Sequence, residues 1–600
     1  MIVSHRFKKN EIEKELDGNF RLLLANRIGG FWSWQDDVES RYSGFYHRHN
    51  DKLFKSIESI KLHDSSPIKK IQNNFWNFEL ERENGIKESF FIPYGFDALV
   101  YETSREVSFD LILDCKEMFD NSEWGRNYSF FEEDKKVIIE YSKSENGAKK
   151  YGFFLVIYSD NFKYRVKKDW ILKDYKYDFK RKDPPFSRYL FSALELEGSK
   201  FVFAVSKDKA KAIEEAKTAF ENLKELKRDH QKSAVEFESK NSAEISDECV
   251  NMAYLAAQFS LSNMLVYNIS GNISGLYAGI PWFSQFWARD SLVSLAALPK
   301  KSKLGLFLNY LEEFKNNGKI SSCGAGCMRG ADVHGLFFKR AVELMEENLL
   351  TQDEIFEIKN ILVKEINDIL KSSTKDDFAV NGPKETWMDT DFKGDSRDGI
   401  RIEIQSLRLN MYNLAAKLTG ERRYFELEHN LSKKVRERFF NGDSLKDGID
   451  DNEVRPNIFL AFYFYPELLF KHEWEKVFSH ALDHLWLSWG GLLSISKKSP
   501  LFCGEYRGCQ EPNQSYHRGD SWYFMNDLAM LALKKVDMHR FKKKIEKILE
   551  ASTEEILWSG MLGHHAEISS ADKFGSNGCF AQSWSAALYI EAIEAFRAKN

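Results

Sequence analysis

Apolar residues along this chain follow two rhythms. Up to about residue 206 they come at period two or in brief apolar bursts, "VSFDLILD", "KVIIEYS", "YGFFLVIYS", "YRVKKDWILKDYKYDF" and "KFVFAVS", each closed by a polar turn. β-Branched and aromatic residues in that spacing suit a pleated, half-buried surface, and so many in series predict an antiparallel β-sandwich over residues 1–206. Residues 207–245 turn to Ala, Glu and Lys with apolar positions at helical spacing, which predicts one or two linking helices with a solvated charged face. From 246 to 600 the period is helical. Twelve segments are predicted, beginning near residues 246, 286, 303, 334, 351, 402, 422, 455, 471, 519, 538 and 579, and such a series fits six helical hairpins closed into an (α/α)6 barrel.

The chemically rich stretches are unevenly placed. "FWARD" opens the second segment, "ADVHG" the fourth, "ETWMDTDF" with "IRIEI" the sixth, "DDNEVRPN" the eighth, "QSYHRGDSW" the tenth and "SNGCFAQSW" the twelfth. Odd-numbered starts such as "TGERRYF" and "LKKVDMH" are plain. In a barrel of alternating outer and inner helices, the connections before even-numbered helices share one rim, so these six loops are expected to converge on one pocket. The rim collects Asp290, Asp332, Asp389, Asp391, Glu403, Glu511, Asp520 and Glu567, the indoles Trp282, Trp287, Trp387, Trp522 and Trp584, and also Arg289 and His517. Indole faces stack on the apolar faces of pyranoses, while acids bind hydroxyls or transfer protons. Breaking a glycosidic bond takes a protonated carboxylic acid at the leaving oxygen and a second carboxylate that activates water or attacks the sugar. The bland alternative is a set of surface acids and core tryptophans.

Composition removes other classes. At 43% hydrophobic and 14% aromatic, 600 residues can build more than one core. Lys plus Arg number 86 against 91 Asp plus Glu, a net charge of -5 with the signs mixed, so neither nucleic acid nor an anionic membrane is an expected partner. The first residues lack the apolar core of a signal peptide and no window approaches the ~18 apolar residues of a membrane span, so the expected location is the cytoplasm. Seven cysteines make no disulfide framework, and "CGAGC" (Cys323, Cys327) and "CGEYRGC" (Cys503, Cys509) lack CxxC spacing, so neither a metal nor another cofactor is expected. "GKISSCGAG" lacks the phosphate-loop spacing. "DFKRKDPPFSR" reads as a solvated loop, and His564 and His565 as polar lining of a subsite.

Five of these stretches share a resemblance. "GIPWFSQFWARDSLVSLAAL", "ETWMDTDF" with "GIRIEIQSL", "YHRGDSW" and "HHAEISSADKFGSNGCFAQSWS" resemble, in order, motifs of the glucosidase domain of glycogen debranching enzymes, which are related in fold to glucoamylases. "FRLLLANRIGGFWSW…SRYSGFYH" is similar to the start of the β-rich domain preceding that barrel in the prokaryotic type. The resemblance implies that Arg289 and Asp290 hold the hydroxyls of a terminal glucose, that Asp389 is the general acid and that Glu567 is the general base. Asp290 remains a rival for the acid and Asp332 a weaker one. Trp282, Trp287, Asp332, Trp387, Glu403, His517, Trp522 and Trp584 are the further expected sugar contacts. The implied activity is that of an inverting hydrolase releasing glucose from ends or branch points of α-glucans, with the two carboxyl groups roughly 6.5–9.5 Å apart. A non-catalytic glucan-binding protein and a hydrolase of trehalose or another small α-glucoside are the alternatives. Ala288 replaces the family's Gly, Ser43 a His, and the acidic residues and Pro-Arg that usually follow the base are absent, which bears on linkage and chain length.

Overall fold

The computed structural model describes residues 1–8, 10–241, 245–322, 330–508 and 513–597; Cys323, Cys327, Cys509 and Glu511 lie outside the described residues. Contacts divide the chain into two compact units, residues 1–271 with 556–564 and residues 272–555 with 565–600.

The first unit is built on a hydrogen-bonded network of 15 strands between Ile2 and Ser206. Its path runs from Arg126–Glu133 through Lys136–Glu145, Ala148–Tyr158 and Ser187–Ser206 to Ala98–Glu117, then through Lys87–Phe91, Asn77–Arg82, Ile68–Asn73 and Ile2–Phe7 to Asn10–Glu15. Pairing is antiparallel along it except where Ile2–Phe7 lies parallel to Ile68–Asn73. The strands Ala98–Glu117 and Ser187–Ser206 are each 20 residues long and pair with each other through irregularities at Glu102/Val107 and Leu111/Ile112. Such bulges bend a strand and sharpen its twist. Accordingly Ala98–Glu117 meets Lys87–Phe91 near one end and Lys52–Leu62 near the other.

The linker does more than connect. Asp208 caps the helix Lys209–Glu221 by accepting the Lys211 N–H at 3.0 Å, and the helix buries Ala212, Ala216, Ala219 and Phe220 against Val100, Ile138, Val156 and Val202 of the sheet. The small residues recur at i, i+4 and i+7, one helical face, while Lys211, Glu214, Lys217 and Glu221 are exposed and Glu215 accepts the Asp97 N–H at 3.1 Å.

Two local expectations are corrected. "YRVKKDWILKDYKYDF" is a strand only from Lys163 to Asp174; Lys176–Arg181 is a helix. The basic stretch beyond it is no solvated loop, since Arg181 is buried and pairs with Asp183 at 2.9 Å. The cause is tertiary: the buried Asp178 carboxylate accepts Ser40 Oγ and the Arg41 N–H, both at 2.8 Å, and this draws the segment inward. The late segment Ile556–His564 also belongs to this unit, bonding to Arg21 through the Arg21 N–H to Gly560 O (3.0 Å) and the Leu562 N–H to Arg21 O (2.9 Å).

Helices start at Glu248, Ala288, Lys300, Val333, Gln352, Ile402, Arg422, Asn457, Lys471, Tyr523 and Ser583, and Tyr523–Trp558 is broken by the non-helical Asp537 (φ -158°, ψ 94°). Each predicted segment thus has its helix, displaced by at most four residues. Glu248–Met264 groups with the first unit and the rest with the second, apart from the end of Tyr523–Trp558. In the second unit Ser583–Arg597 packs on Ala288–Ser294, that helix on Val333–Glu346, that on Ile402–Thr419, and that on Asn457–Phe464. Among the described residues no helix is long and apolar enough to cross a membrane.

Candidate active site

The six loops that precede the even-numbered helices are joined side chain to side chain. Arg289 donates from Nε to Asp332 Oδ2 at 2.7 Å and from Nη1 to Asp389 Oδ2 at 3.4 Å, linking the second, fourth and sixth loops. Trp387 Nε1 donates to Asn457 Oδ1 at 2.6 Å, tying the sixth to the eighth. Arg455 Nη1 donates to the His517 carbonyl at 3.3 Å, and Thr390 Oγ1 shares a 2.8 Å hydrogen bond with His517 Nδ1, which brings in the tenth. The Tyr516 hydroxyl donates to Glu567 Oε1, reaching the twelfth. Gln582 Nε2 closes the circuit on Asp290 Oδ1 at 3.1 Å. Residues far apart in the chain, from Arg289 to Gln582, are therefore linked in one hydrogen-bonded circuit.

Asp290 and Asp389 differ in their surroundings. Asp290 is 7% exposed, and burial, with the negative charges of Glu567 and Asp389, lifts its pKa to about 7 against the opposing pull of Arg289. Asp389 keeps 38% of its side chain exposed. Burial of its surroundings raises it to about 6, again opposed by Arg289. Both shifts come chiefly from desolvation, which disfavours a carboxylate. Arg289 is itself held more firmly protonated by Asp332 and Asp389, which outweigh its burial.

Glu567 is aimed by its loop. The Cys579 N–H donates to its Oε2 at 2.8 Å, complementing the Tyr516 hydroxyl on Oε1. Gly578 makes that approach possible: at φ +66° a Cβ there would stand 2.3 Å from Glu567 Oε2. The "GSNGC" stretch is thus shaped around the carboxylate.

The indoles are mostly spent on each other. Trp387 is 4%, Trp522 3% and Trp584 5% exposed, and they form one aromatic cluster with His517 and Phe524. His517 stacks on Trp522 at 4.9 Å and 9°, and burial among Arg518, Arg397, Arg455 and Arg289 keeps it neutral. Trp282 is buried against Phe580, whereas Trp287 stays half-buried at the head of Ala288–Ser294.

Glu403, expected at the sugar, has both oxygens on Arg397 at 2.8 and 3.2 Å, and Arg397 also reaches Asp447 at 2.9 Å. Asp395 similarly receives Arg455 at 2.9 Å and Arg518 at 2.8 Å. These pairs brace the sixth, eighth and tenth loops. Asp520 accepts Ser515 Oγ within its own loop and Asp391 accepts the Gly394 N–H. His564 and His565 line no open subsite: they are 4% and 0% exposed, and His565 lies between Glu555 and Asp527.

Buried polar atoms around the circuit without a hydrogen-bond partner among the described residues include Asp332 Oδ1, His517 Nε2, Gln582 Oε1 and Trp584 Nε1. An orphaned buried donor or acceptor costs free energy, and a bound hydroxylated molecule is one way to satisfy it. Tyr516, Gln582 and Arg455 were not singled out from sequence. Each lies in a stretch already noted, Tyr516 in "QSYHRGDSW", Arg455 in "DDNEVRPN" and Gln582 in "SNGCFAQSW".

Residues 334–591 match the family described as amylo-alpha-1,6-glucosidase. No curated protein matches the chain by sequence. Among solved structures, a bacterial glucoamylase complexed with acarbose is similar over 100% of this chain and 98% of its own, with a TM-score of 0.60 at 12% identity.

Proposed function

With residues 334–591 in a glucoamylase-related debranching-enzyme family and a glucoamylase-like fold over the chain, we propose that this is an inverting glycoside hydrolase releasing glucose from non-reducing ends or branch points of α-glucans, with Asp389 as general acid and Glu567 as general base. The match of residues 334–591 and the likeness in fold support a glucan-hydrolysing enzyme; linkage, mechanism and residue roles are the added reading. The observation that carries it is the closed circuit of six loops around Arg289, Asp389, Glu567 and Asp290. That circuit is what an (α/α)6 barrel produces when its inner helices start at one rim, and the helix-on-helix order from Ser583–Arg597 to Asn457–Phe464 fits such a ring.

Asp389 is the better acid because it combines a raised pKa with the exposure needed to touch a leaving oxygen. Asp290, more buried and held by Gln582, fits a protonated or shared-proton group binding a glucose hydroxyl, with Arg289 and Asp332, whose Oδ1 has no partner among the described residues, beside it. Glu403 acts through Arg397 as a brace, and Trp387, Trp522, Trp584 and His517 form a dry wall that favours the protonated acid. Glucose release from maltotriose, isomaltose, trehalose and glycogen, assayed in parallel, tests the function. Release from maltotriose, isomaltose or glycogen is expected; release from trehalose alone, or from none, overturns it.

A further inference from the structure

His565 precedes Glu567 by two residues, is fully buried, and is gripped at both ring nitrogens. Nδ1 lies 2.6 Å from Glu555 Oε2 and Nε2 lies 3.0 Å from Asp527 Oδ2. The remaining oxygens are used as well. Asp527 Oδ1 accepts Ser552 Oγ at 2.7 Å, and Glu555 Oε1 accepts Ser576 Oγ at 2.5 Å. The Ala566 N–H lies 3.3 Å from both Glu555 oxygens. Ala566 and Ser576 stand on opposite arms of the loop that carries Glu567. Those arms are laced by the Glu567 N–H to Cys579 O (2.8 Å) and the Asn577 N–H to Ile568 O (2.8 Å), and the Gln582 N–H donates to His565 O at 2.8 Å. One carboxylate, Glu555, thus grasps both arms, and His565 locks that carboxylate to Asp527 on the helix behind it.

We propose that Asp527, His565 and Glu555 form a carboxylate–imidazolium–carboxylate clamp whose residues position the Glu567 carboxylate for its reaction. The inference rests on the reading of Glu567 as the base. Two buried carboxylates facing each other need a cation between them, and the imidazolium is that cation. Burial alone lowers His565, but its bonds to Asp527 and Glu555 outweigh this and raise it to about 9, while burial raises Asp527. The other groups against the ring are Tyr523 at 4.6 Å and Tyr589 at 6.1 Å. A buried ion cluster adds little net stability over apolar residues of similar volume. What it supplies is directional: four charge-assisted contacts fix the loop where apolar packing would let it slide. Misplacing a reacting group by about 1 Å can cost on the order of 100-fold in rate.

The test compares His565→Gln and Asp527→Asn with Glu567→Gln in the full-length protein, measuring kcat and KM on the substrate that wild type cleaves best, at temperatures where circular dichroism shows each variant folded. Glu567→Gln should lower kcat by about 10²–10⁴-fold, the range for general acid–base groups. The two clamp variants should lower kcat by roughly 10–100-fold with KM within a few-fold, the pattern of a misplaced group. Should neither fold, Ser576→Ala, which removes one hydroxyl from Glu555, should still reduce kcat several-fold with KM kept. If Glu567→Gln is inactive while folded clamp variants, or Ser576→Ala in their place, turn over like wild type, the clamp is structural only and the proposal fails. If Glu567→Gln keeps full activity, the reading of the base fails and takes the proposal with it.

Discussion

Arg289→Met removes the cation joining Asp332 to Asp389 while keeping an extended stem, and its two bonds differ in strength. The bond to Asp332 is 2.7 Å long with side chains 12% and 8% exposed. Removing one partner from such a pair strands a buried charge and costs about 3–5 kcal/mol of stability. The bond to Asp389 is 3.4 Å long and that carboxylate is 38% exposed, so water screens it. Its strength falls in the range of surface ion pairs, roughly 0–1 kcal/mol, or less than about one pKa unit. Because Arg289 pulls the Asp389 pKa down against the burial that holds it at about 6, removing the guanidinium raises it further. The assay is kcat/KM against pH beside thermal melts. The expected result is an alkaline limb moved up by a fraction of a unit, an unmoved acid limb and a clearly lower Tm. Arg289→Lys, which keeps the charge, should hold the limb near wild type. An alkaline limb that stays put or moves down in a folded Arg289→Met would refute the assignment of that limb to Asp389.

Asp290→Asn should stabilise the protein more at pH 8 than at pH 5, because a carboxyl held at about 7 when folded and near 3.9 when unfolded opposes folding once ionised; an equal Tm change at both pH values argues against the raised pKa. The clamp gives a slope of the same sign in a higher window: with His565 at about 9 folded against about 6.5 unfolded, its stabilisation is full below pH 6.5, declines above it and is lost beyond about 9. Wild type should therefore lose Tm over that window, and Asp527→Asn should lose less. Trp387→Phe deletes the 2.6 Å indole bond to buried Asn457 and should cost about 1–3 kcal/mol in denaturant unfolding; an unchanged midpoint would show that the bond adds nothing.

The helices were legible because apolar spacing is a local property: the starts at Ile402, Arg422 and Lys471 fall on the predicted residues. So was the grouping of rich loops, since Arg289, Asp332 and Asp389 sit in recognisable motifs. Three things were not legible. Gln582 sits in the quoted "SNGCFAQSW" stretch, but its partner is not local: the pairing of Gly279–Ile280 with Ala581–Gln582 brings it to Asp290. The role of Glu403 hinges on Arg397 and on Asp447, 50 residues beyond that arginine. His565 resembled a polar subsite residue until Asp527 and Glu555 closed on it. In each case the deciding partner is set by tertiary contact, which neither period nor motif encodes. The helix Lys176–Arg181 was missed for the same reason, its apolar run continuing a strand pattern that buried Asp178 overrides.

Proton NMR of the first glucose released from an α-linked substrate tests the central claim most directly. If Asp389 protonates the leaving oxygen while Glu567 drives water onto the opposite face, β-glucose appears first and then mutarotates, and the signal is lost in Glu567→Gln. α-Glucose as first product, or β-glucose formed at an undiminished rate by Glu567→Gln, would contradict it.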